Sequence, residues 1–297
     1  MRALADFVMR GRLQATLAVV IGAALPLLFW VSAAAGSLVL LRRGLNDALG
    51  IVLWALLPTL LWWHFGEPRP LLVLLGSLVL ALVLRTSVSW TRVLLTSVLI
   101  GVLYGATIDA VFGATVERNA AELLELMPQM LGDAYQQMGT DEKARLGELL
   151  TPVLTGLMAA LLQLLSLLCL TLGRYWQAAL YNPGGFAREF QAVRLPAPMA
   201  VALLLGVFLL PGVSIELAML TPLCSVPLAF AGVALVHGLV AQQRLARFWL
   251  VGLYVALLLF MQLVYPLLVV LAVVDSLIDF RGLSRRSGVD GPTNGEG

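Results

Sequence analysis

Apolar runs of about twenty residues recur along the whole length of this chain. A membrane-spanning helix needs roughly 20 apolar residues to cross the hydrocarbon core of a bilayer. The 297 residues are 60% hydrophobic and 12% charged, whereas a soluble domain is about half apolar and about a quarter charged. Because one water-soluble core cannot bury so many apolar side chains, we expect an all-α, polytopic transmembrane helix bundle in a lipid bilayer.

Six of these apolar runs have the length of a single span. They are residues 48–65, 70–84, 93–113, 151–173, 197–213 and 217–240. Two longer runs, 3–41 and 246–281, frame them, with Pro26 and Pro266 near their middles. Because proline breaks or kinks a helix interior, each framing run is expected to form two short helices or one kinked helix. We favour ten membrane helices, with eight as the alternative. The first framing run is longer than the apolar core of a cleaved signal peptide, so we expect it to be retained.

The charge distribution predicts an orientation. Residues 114–150 form the longest and most acidic connection, and the positive-inside rule places such a segment outside. If both framing runs are helix pairs, fifteen of the nineteen basic residues then lie inside. The exceptions are Arg69, Arg118, Lys143 and Arg145. This distribution predicts a multi-pass membrane protein whose basic helix ends lie on the cytoplasmic side.

Four parts follow along the chain. They are N-terminal transmembrane helices (1–113), a periplasmic amphipathic segment (114–150), C-terminal transmembrane helices (151–281) with a cytoplasmic loop at 174–196, and a flexible cytoplasmic tail (282–297). Apolar residues at helical spacing in the periplasmic segment predict a helix lying along the outer surface, where it caps the membrane domain or covers a cavity. Pro128 is expected to divide this helix. Thr140, followed by two acidic residues, is expected to start another.

Catalytic and metal-binding signatures are missing from the sequence. It contains no nucleophile elbow, phosphate-binding loop, His-Glu-x-x-His or Cys-x-x-Cys motif, so we expect no enzyme, no cofactor and no metal site. Cys169 and Cys224 lie in apolar runs, where small buried hydrophobes are expected. With a single lysine, Lys143, the chain has no lysine-rich tail that would indicate a nucleic-acid partner.

Ionisable residues within apolar spans are costly to bury there and are therefore candidates for ligand binding. The candidates are Asp109, His237, Asp275 and Asp279, with Trp62, Trp63 and Trp54 as residues that would line a cavity. The four ionisable residues also have simpler interpretations. Asp109 would be an interfacial carboxylate, and His237 would be a neutral imidazole hydrogen-bonded to a neighbouring helix. Asp275 and Asp279 would lie at a solvated helix end.

Asp275 and Asp279 are four residues apart and share one helix face, so a cation is needed to offset their repulsion. Arg281 is expected to point elsewhere. We therefore expect the partner to come from another inner helix end, with four candidates. They are Arg42, Arg43, Arg85 and Arg174.

Small residues at a spacing of four predict close helix packing. The pairs are Gly101 with Gly105 and Ala18 with Gly22. The spacing does not distinguish a partner helix in the same chain from one in another chain.

A polar and aromatic island interrupts the apolar sequence. Its candidate hinge or partner-contact residues are Arg174, Tyr175, Trp176, Tyr181, Asn182, Pro183, Gly184, Gly185 and Phe186. The Asn-Pro-Gly order predicts a type II turn, and the tyrosines and the tryptophan are expected in the interfacial aromatic belt. Phe186 and Phe190 are expected to anchor a short helix on the membrane, with Arg188 towards anionic headgroups. Alternatively, the two glycines present N–H groups to an anion.

Four stretches together resemble the YybS-like family, bacterial predicted inner-membrane proteins that carry a domain of unknown function. They are residues 26–29 with 40–44, residues 174–186, residues 231–237 and residues 274–281. The N-terminal half in turn is similar to the substrate-binding components of energy-coupling-factor vitamin transporters. That resemblance implies a membrane pocket for a small molecule, but it brings no known substrate and no catalytic residue.

Two functions are therefore predicted. The first is binding or transport of a small molecule, as by a transporter's substrate-binding subunit. The alternative is a scaffold or assembly factor that does not transport and recruits a membrane or cytoplasmic protein at its cytoplasmic face. The first requires a cavity lined by the ligand candidates, and the second requires an exposed surface around residues 174–194.

Overall fold

The computed structural model describes residues 2–282, and within them the fold is all-α, with no β-strand. The helices are α1 (Arg2–Arg10), α2 (Arg12–Ala24), α3 (Phe29–Arg43), α4 (Leu45–His64), α5 (Arg69–Ser87), α6 (Trp90–Leu131), α7 (Asp133–Gln137), α8 (Thr140–Tyr181), α9 (Gly185–Gln191), α10 (Ala197–Val213), α11 (Leu220–Ala241), α12 (Phe248–Leu259) and α13 (Met261–Ile278). A short 3₁₀ helix, Glu216–Met219, precedes α11. Apart from Gly282, the predicted tail 282–297 lies outside the described residues.

Six helical segments in residues 2–282 are long and apolar enough to cross a membrane. They are Leu45–His64, Arg69–Ser87, Trp90–Leu131, Thr140–Tyr181, Glu216–Ala241 and Met261–Ile278. Three shorter apolar helices accompany them, namely Arg12–Ala24, Ala197–Val213 and Phe248–Leu259. The predicted polytopic helix bundle is confirmed.

Two compact units divide the described residues. The first lies within Met1–Phe186 and Leu205–Pro227, and the second within Ala187–Leu204 and Leu228–Gly297. The boundary crosses α10 and α11, so each of these helices contributes one part to each unit.

The first framing run folds back on itself, in the first unit. Its break lies between Ala24 and Phe29, at the predicted proline. Ser32 Oγ donates to the Val19 carbonyl oxygen at 2.7 Å, and a Cβ added at Gly22 would press on the Ser32 backbone. Close packing of α2 on α3 therefore uses the predicted glycine. The extended conformation at Gly11 separates α1 from α2, a break that the sequence reasoning did not anticipate.

The second framing run also returns to its starting end, within the second unit. Gln242 and Arg244, just before α12, donate to the carbonyl oxygens of Arg281 and Phe280, just after α13. The two helices are joined through Phe260 alone, which leaves the helical conformation with φ −129° and ψ 42°. The expected break at Pro266 is wrong, because this proline lies inside α13.

Helices α6 and α8 are each 42 residues long. At 1.5 Å per residue each measures about 63 Å, roughly twice the hydrocarbon thickness. The segment 114–150 is thus the continuation of two membrane helices and their short connection, and Leu124 of α6 packs beside Gly147 of α8. The predicted segment is helical, but it is not a helix of its own, because α6 and α8 continue into it without a break.

The ends of these two helices follow local signals with one exception. Pro128 does not divide α6, which continues to Leu131 and ends at Gly132, whose φ is +53°. Only one turn of helix follows the proline, so the single missing hydrogen bond is not enough to end it earlier. Helix α8 begins at Thr140 as predicted, and the Glu142 carboxylate accepts a hydrogen bond from the Gly139 N–H at 2.9 Å.

Glycines and hydroxyl groups hold the helices of the first unit together. Gly101 lies against Leu223 and Gln163, and Gly105 lies near Met219, so the partners of this predicted pair are in the same chain. Tyr104 OH donates to the Leu72 carbonyl oxygen at 2.8 Å and lies 2.9 Å from Ser166 Oγ. Such contacts link helices in an apolar interior, where unpaired polar groups are costly.

Basic residues of the first unit collect at one of its ends. Arg85 on α5 donates to the carbonyl oxygens of Leu40 and Leu41 on α3, and Gln177 on α8 also donates to Leu41. This end therefore includes the four arginines that the charge distribution places on one side. They are Arg42, Arg43, Arg85 and Arg174. At the other end, residues 66–69 and 112–119 line one cavity, as expected if both lie on the opposite side.

Candidate functional site

A buried ion cluster lies in the second unit. Arg281 Nη2 is 2.7 Å from Asp275 Oδ2, and each residue is 2% exposed. Arg194 lies 3.9 Å from the Asp275 carboxylate and 3.8 Å from that of Asp279. The need for a cation beside these aspartates was predicted correctly, but the predicted donors were wrong, since Arg281 and Arg194 supply it.

The backbone at the end of α13 explains why Arg281 reaches Asp275. Helix α13 ends at Ile278, and Asp279 adopts a left-handed conformation with φ +54°. The next N–H group, that of Phe280, then donates to Asp275 Oδ1 at 3.1 Å. This reversal turns the following side chain back over the helix end. In a continuing helix Arg281 would point away from Asp275.

The expected donors are engaged elsewhere. Arg42 stacks over the Tyr181 ring at 4.1 Å, Arg43 donates to the Met9 carbonyl oxygen, Arg85 donates to α3, and Arg174 donates to Gln177.

The ion cluster ties three parts of the second unit together. Arg281 donates to the carbonyl oxygens of Gln191 and Val193, each at 2.8 Å. Arg194 donates to the carbonyl oxygens of Asp275 and Ser276 at 3.1 and 2.9 Å. A side chain at Gly238 would collide with the Arg281 side chain and the Gln191 carbonyl. The cluster therefore positions Gln191 against the end of α11.

Beside Gln191 lies a cleft of about 520 Å³ at the C-terminal end of α11, which we call the His237 cleft. It is lined by Gln191, His237, Val240, Ala241, Gln243, Leu245, Ala246, Arg247 and Leu250. One part of this lining is polar, with one guanidinium, two amides and one imidazole. The other part is aliphatic, so the cleft can hold a polar group and an apolar group side by side.

The imidazole of His237 is held from both sides. Its Nδ1 lies 3.0 Å from the Val233 carbonyl oxygen, and its Nε2 lies 3.3 Å from the Tyr254 hydroxyl. Phe190 and Tyr254 also meet the ring edge to face. These contacts agree with the simpler interpretation of a hydrogen-bonded histidine, and they fix the ring at the wall of the cleft.

The predicted ligand residues do not converge on one cavity. Asp109 is exposed on α6, as expected for an interfacial carboxylate, and Asp275 is enclosed by arginines. Trp62 lines a separate cavity of about 160 Å³ with Pro26 and Glu67. Trp63 is half-buried, and Trp54 is 61% exposed. Of the predicted set, His237 alone lines the His237 cleft.

The turn in the island has the predicted geometry. The Gly185 N–H donates to the Asn182 carbonyl oxygen at 2.9 Å, and Gly184 has φ +80°. A positive φ at the third position is the mark of a type II turn. Helix α8 continues to Tyr181, so the chain leaves the helix later than the predicted loop at 174–196 implies.

The aromatic residues of the island are only partly where the sequence reasoning placed them. Tyr175 and Tyr181 are each 46% exposed, but Trp176 is fully buried, because neighbours on a helix point about 100° apart. Phe186 packs edge to face on Trp90 and Tyr175. This phenylalanine therefore packs against α6 and α8 and keeps part of its surface exposed.

Phe190, at the other end of α9, also contacts protein. Its ring meets those of Phe230 and His237 edge to face. Phe186 and Phe190 are both partly buried against neighbouring aromatic rings, and the expectation that they anchor a helix on the lipid stays a prediction.

Sequence reasoning missed the contributions of Arg194, Gln191 and Arg247. One local signal was available for the cleft, since two glutamines and two arginines follow His237 within ten residues. A second cavity, of about 350 Å³, was also missed; it lies between the start of α5 and the middles of α6 and α8 and is mainly apolar. Within residues 2–282 no group of three or more His, Cys, Asp and Glu side chains is arranged to hold a metal ion.

Fold and site together define a class, that of multi-pass α-helical membrane proteins. The sequence matches no protein-family model, and no curated protein and no solved structure is significantly similar to it. The resemblance to the YybS-like family therefore stays a prediction that rests on the four stretches quoted above.

Proposed function

We propose that this membrane protein binds a small molecule in the His237 cleft, in the manner of a transporter's substrate-binding subunit. The observation that carries the proposal is the cleft itself. Its volume of about 520 Å³ lies within the roughly 300–1,000 Å³ of known ligand sites, which combine apolar walls with a few polar groups. The resemblance of the N-terminal half to such subunits supports the class of function only, because the cleft is lined by residues of the C-terminal half. We propose no catalysis, because none of the motifs sought in the sequence is present.

We further propose that the protein resides in a bacterial inner membrane with its arginine-rich helix ends in the cytoplasm. The grouping of Arg42, Arg43, Arg85 and Arg174 at one end of the first unit supports this orientation, since basic residues are retained on the cytoplasmic side. The extensions of α6 and α8 would then project into the periplasm.

A second function has one observation in its favour. Residues 181–184 form an exposed turn at the end of α8, and Arg42 stacks over the Tyr181 ring. An ordered, exposed aromatic residue beside a cation suits a protein contact. A scaffold that recruits another protein through this turn is therefore the alternative.

Native mass spectrometry of the protein, gently extracted from its own membrane, separates the two functions. The wild-type protein is expected to carry a small molecule that His237→Ala loses. His64→Ala is the matched control, since the other histidine of the chain is exposed and lies outside the cleft, and it should keep the molecule.

Two results would contradict small-molecule binding. One is a wild-type chain without any bound molecule. The other is a protein partner that departs when residues 181–185 are altered, a result that would favour the scaffold.

A further inference from the structure

We infer that the ligand of the His237 cleft is a phosphate-bearing anion, supplied by the headgroup of an anionic membrane lipid. This inference rests on the proposed function and adds the chemical class of the ligand. Four observations support it, namely the charge of the cleft, the pairing of the nearby carboxylates, the backbone conformation at Gln243, and the apolar surface that adjoins the cleft.

The polar lining of the cleft favours an anion. Arg247 contributes a positive charge, and the side-chain amides of Gln191 and Gln243 contribute N–H groups that can donate hydrogen bonds to an anion. Among the residues that line the cleft there is no aspartate or glutamate. A guanidinium with additional N–H donors is the usual protein partner of a phosphate group.

Neighbouring carboxylates do not cancel this charge. Asp275 forms an ion pair with Arg281. Arg194 lies 3.9 Å from the Asp275 carboxylate and 3.8 Å from that of Asp279, so both acids already have cationic partners in the ion cluster. Arg244 donates to a backbone carbonyl. Within residues 2–282 no carboxylate forms an ion pair with Arg247, so its charge is available to a ligand.

The backbone beside the cleft is held in an uncommon conformation. Gln243 has φ +59°, a left-handed conformation that is unfavourable for residues other than glycine. Such conformations persist where the surroundings impose them and are concentrated at binding sites. This turn carries the chain from α11 to Arg247, so it helps to hold the lining in place.

An apolar surface continues from the cleft along α12. Val240, Leu245 and Leu250 line the aliphatic part of the cleft. Phe248 and Trp249, which follow Arg247, are 67% and 52% exposed. Tryptophan at a helix end is typical of the membrane interface, so Arg247 lies at the depth of lipid headgroups. A lipid with its phosphate in the cleft can therefore lay its acyl chains along α12.

The test uses the full chain purified in detergent and incubated with equal amounts of phosphatidylglycerol and phosphatidylcholine. Native mass spectrometry counts the lipids retained by each variant. We expect the wild-type protein to prefer phosphatidylglycerol at least about fivefold, the contribution of one basic residue at headgroup depth. Arg247→Gln should abolish the preference and Arg247→Lys should keep most of it. Arg92→Gln should not change it, since this exposed arginine lies outside the cleft.

Inorganic phosphate, added in a parallel series, distinguishes a lipid from a soluble source. If it does not displace phosphatidylglycerol, the inference stands as stated. If it displaces the lipid and appears as an adduct that Arg247→Gln loses, the anion chemistry stands but the lipid source is overturned. Equal retention of both lipids, or an equal loss from Arg92→Gln, overturns the inference. In that case a bound uncharged molecule that is lost from His237→Ala would still uphold the proposed function.

Discussion

Arg281 and Asp275, six residues apart at the end of α13, form an ion pair of 2.7 Å that is almost entirely excluded from solvent. The same guanidinium holds two backbone carbonyls of residues 191–193. A single side chain thus neutralises a buried acid and fixes one wall of the His237 cleft.

Removing one member of this pair should destabilise the protein strongly. Asp275→Asn leaves the Arg281 charge buried with a weaker partner, and breaking a buried pair in this way costs about 3–5 kcal/mol. Thermal unfolding in detergent measures the loss, with Asp109→Asn as a control at an exposed carboxylate, where a change of less than about 0.5 kcal/mol is expected.

The two members should also be coupled. Arg281→Gln should lower the free energy of unfolding less in an Asp275→Asn background than in the wild-type protein. In the double variant no uncompensated buried charge remains. Equal costs in the two backgrounds would show that the ion pair contributes nothing to stability.

Gly156 should tolerate no side chain. It lies against the backbone of Met219, and a Cβ added there would overlap the carbonyl group. We expect Gly156→Ala to destabilise the protein by about 1–3 kcal/mol, as overpacking does. The matched control is Gly113→Ala, on another long helix, where an added Cβ meets only the Asp109 carboxylate at 3.9 Å, an ordinary contact, and alanine should stabilise the helix by up to about 1 kcal/mol. If both substitutions shift the unfolding midpoint equally, the close approach of Met219 to α8 is wrong.

The extensions of α6 and α8 should be cross-linked through facing residues. Leu124 lies 3.4 Å from the Cβ position of Gly147, so Leu124→Cys with Gly147→Cys should react with a short bifunctional thiol reagent and shift in gel mobility. Leu126→Cys replaces the first cysteine in the control, since this residue points to another side and is 48% exposed. Both native cysteines are replaced by alanine. A helix lying flat on the membrane would leave both pairs unlinked.

The proposed orientation can be tested with cysteines at two exposed positions. Gln137→Cys in α7 should react with a membrane-impermeant maleimide on spheroplasts of an expressing bacterium. Gly184→Cys at the end of α8 should react only after the membrane is opened. The reverse labelling pattern would show that the protein has the opposite orientation. Labelling of both cysteines on intact spheroplasts would show that the two residues lie on the same side of the membrane.

Local chemistry in the sequence was enough to determine several features. Spans of about twenty apolar residues must be helical in a membrane, because lipid offers no hydrogen-bond partner to the backbone. Asn182 to Gly185 form the predicted turn, because proline and glycine restrict or permit particular backbone angles whatever surrounds them. The start of α8 at Thr140 follows from the same kind of short-range preference.

Only the tertiary structure decided which side chains meet. Arg281 reaches Asp275 because the chain reverses at Asp279, and no local pattern in the sequence marks that reversal. Asp109 and His237 both interrupt apolar runs, yet one is exposed on α6 and the other lines a cleft, since burial depends on the neighbouring helices. Arg247 acquires its proposed role in the same way, through the side chains that α11 and residue 191 bring around it.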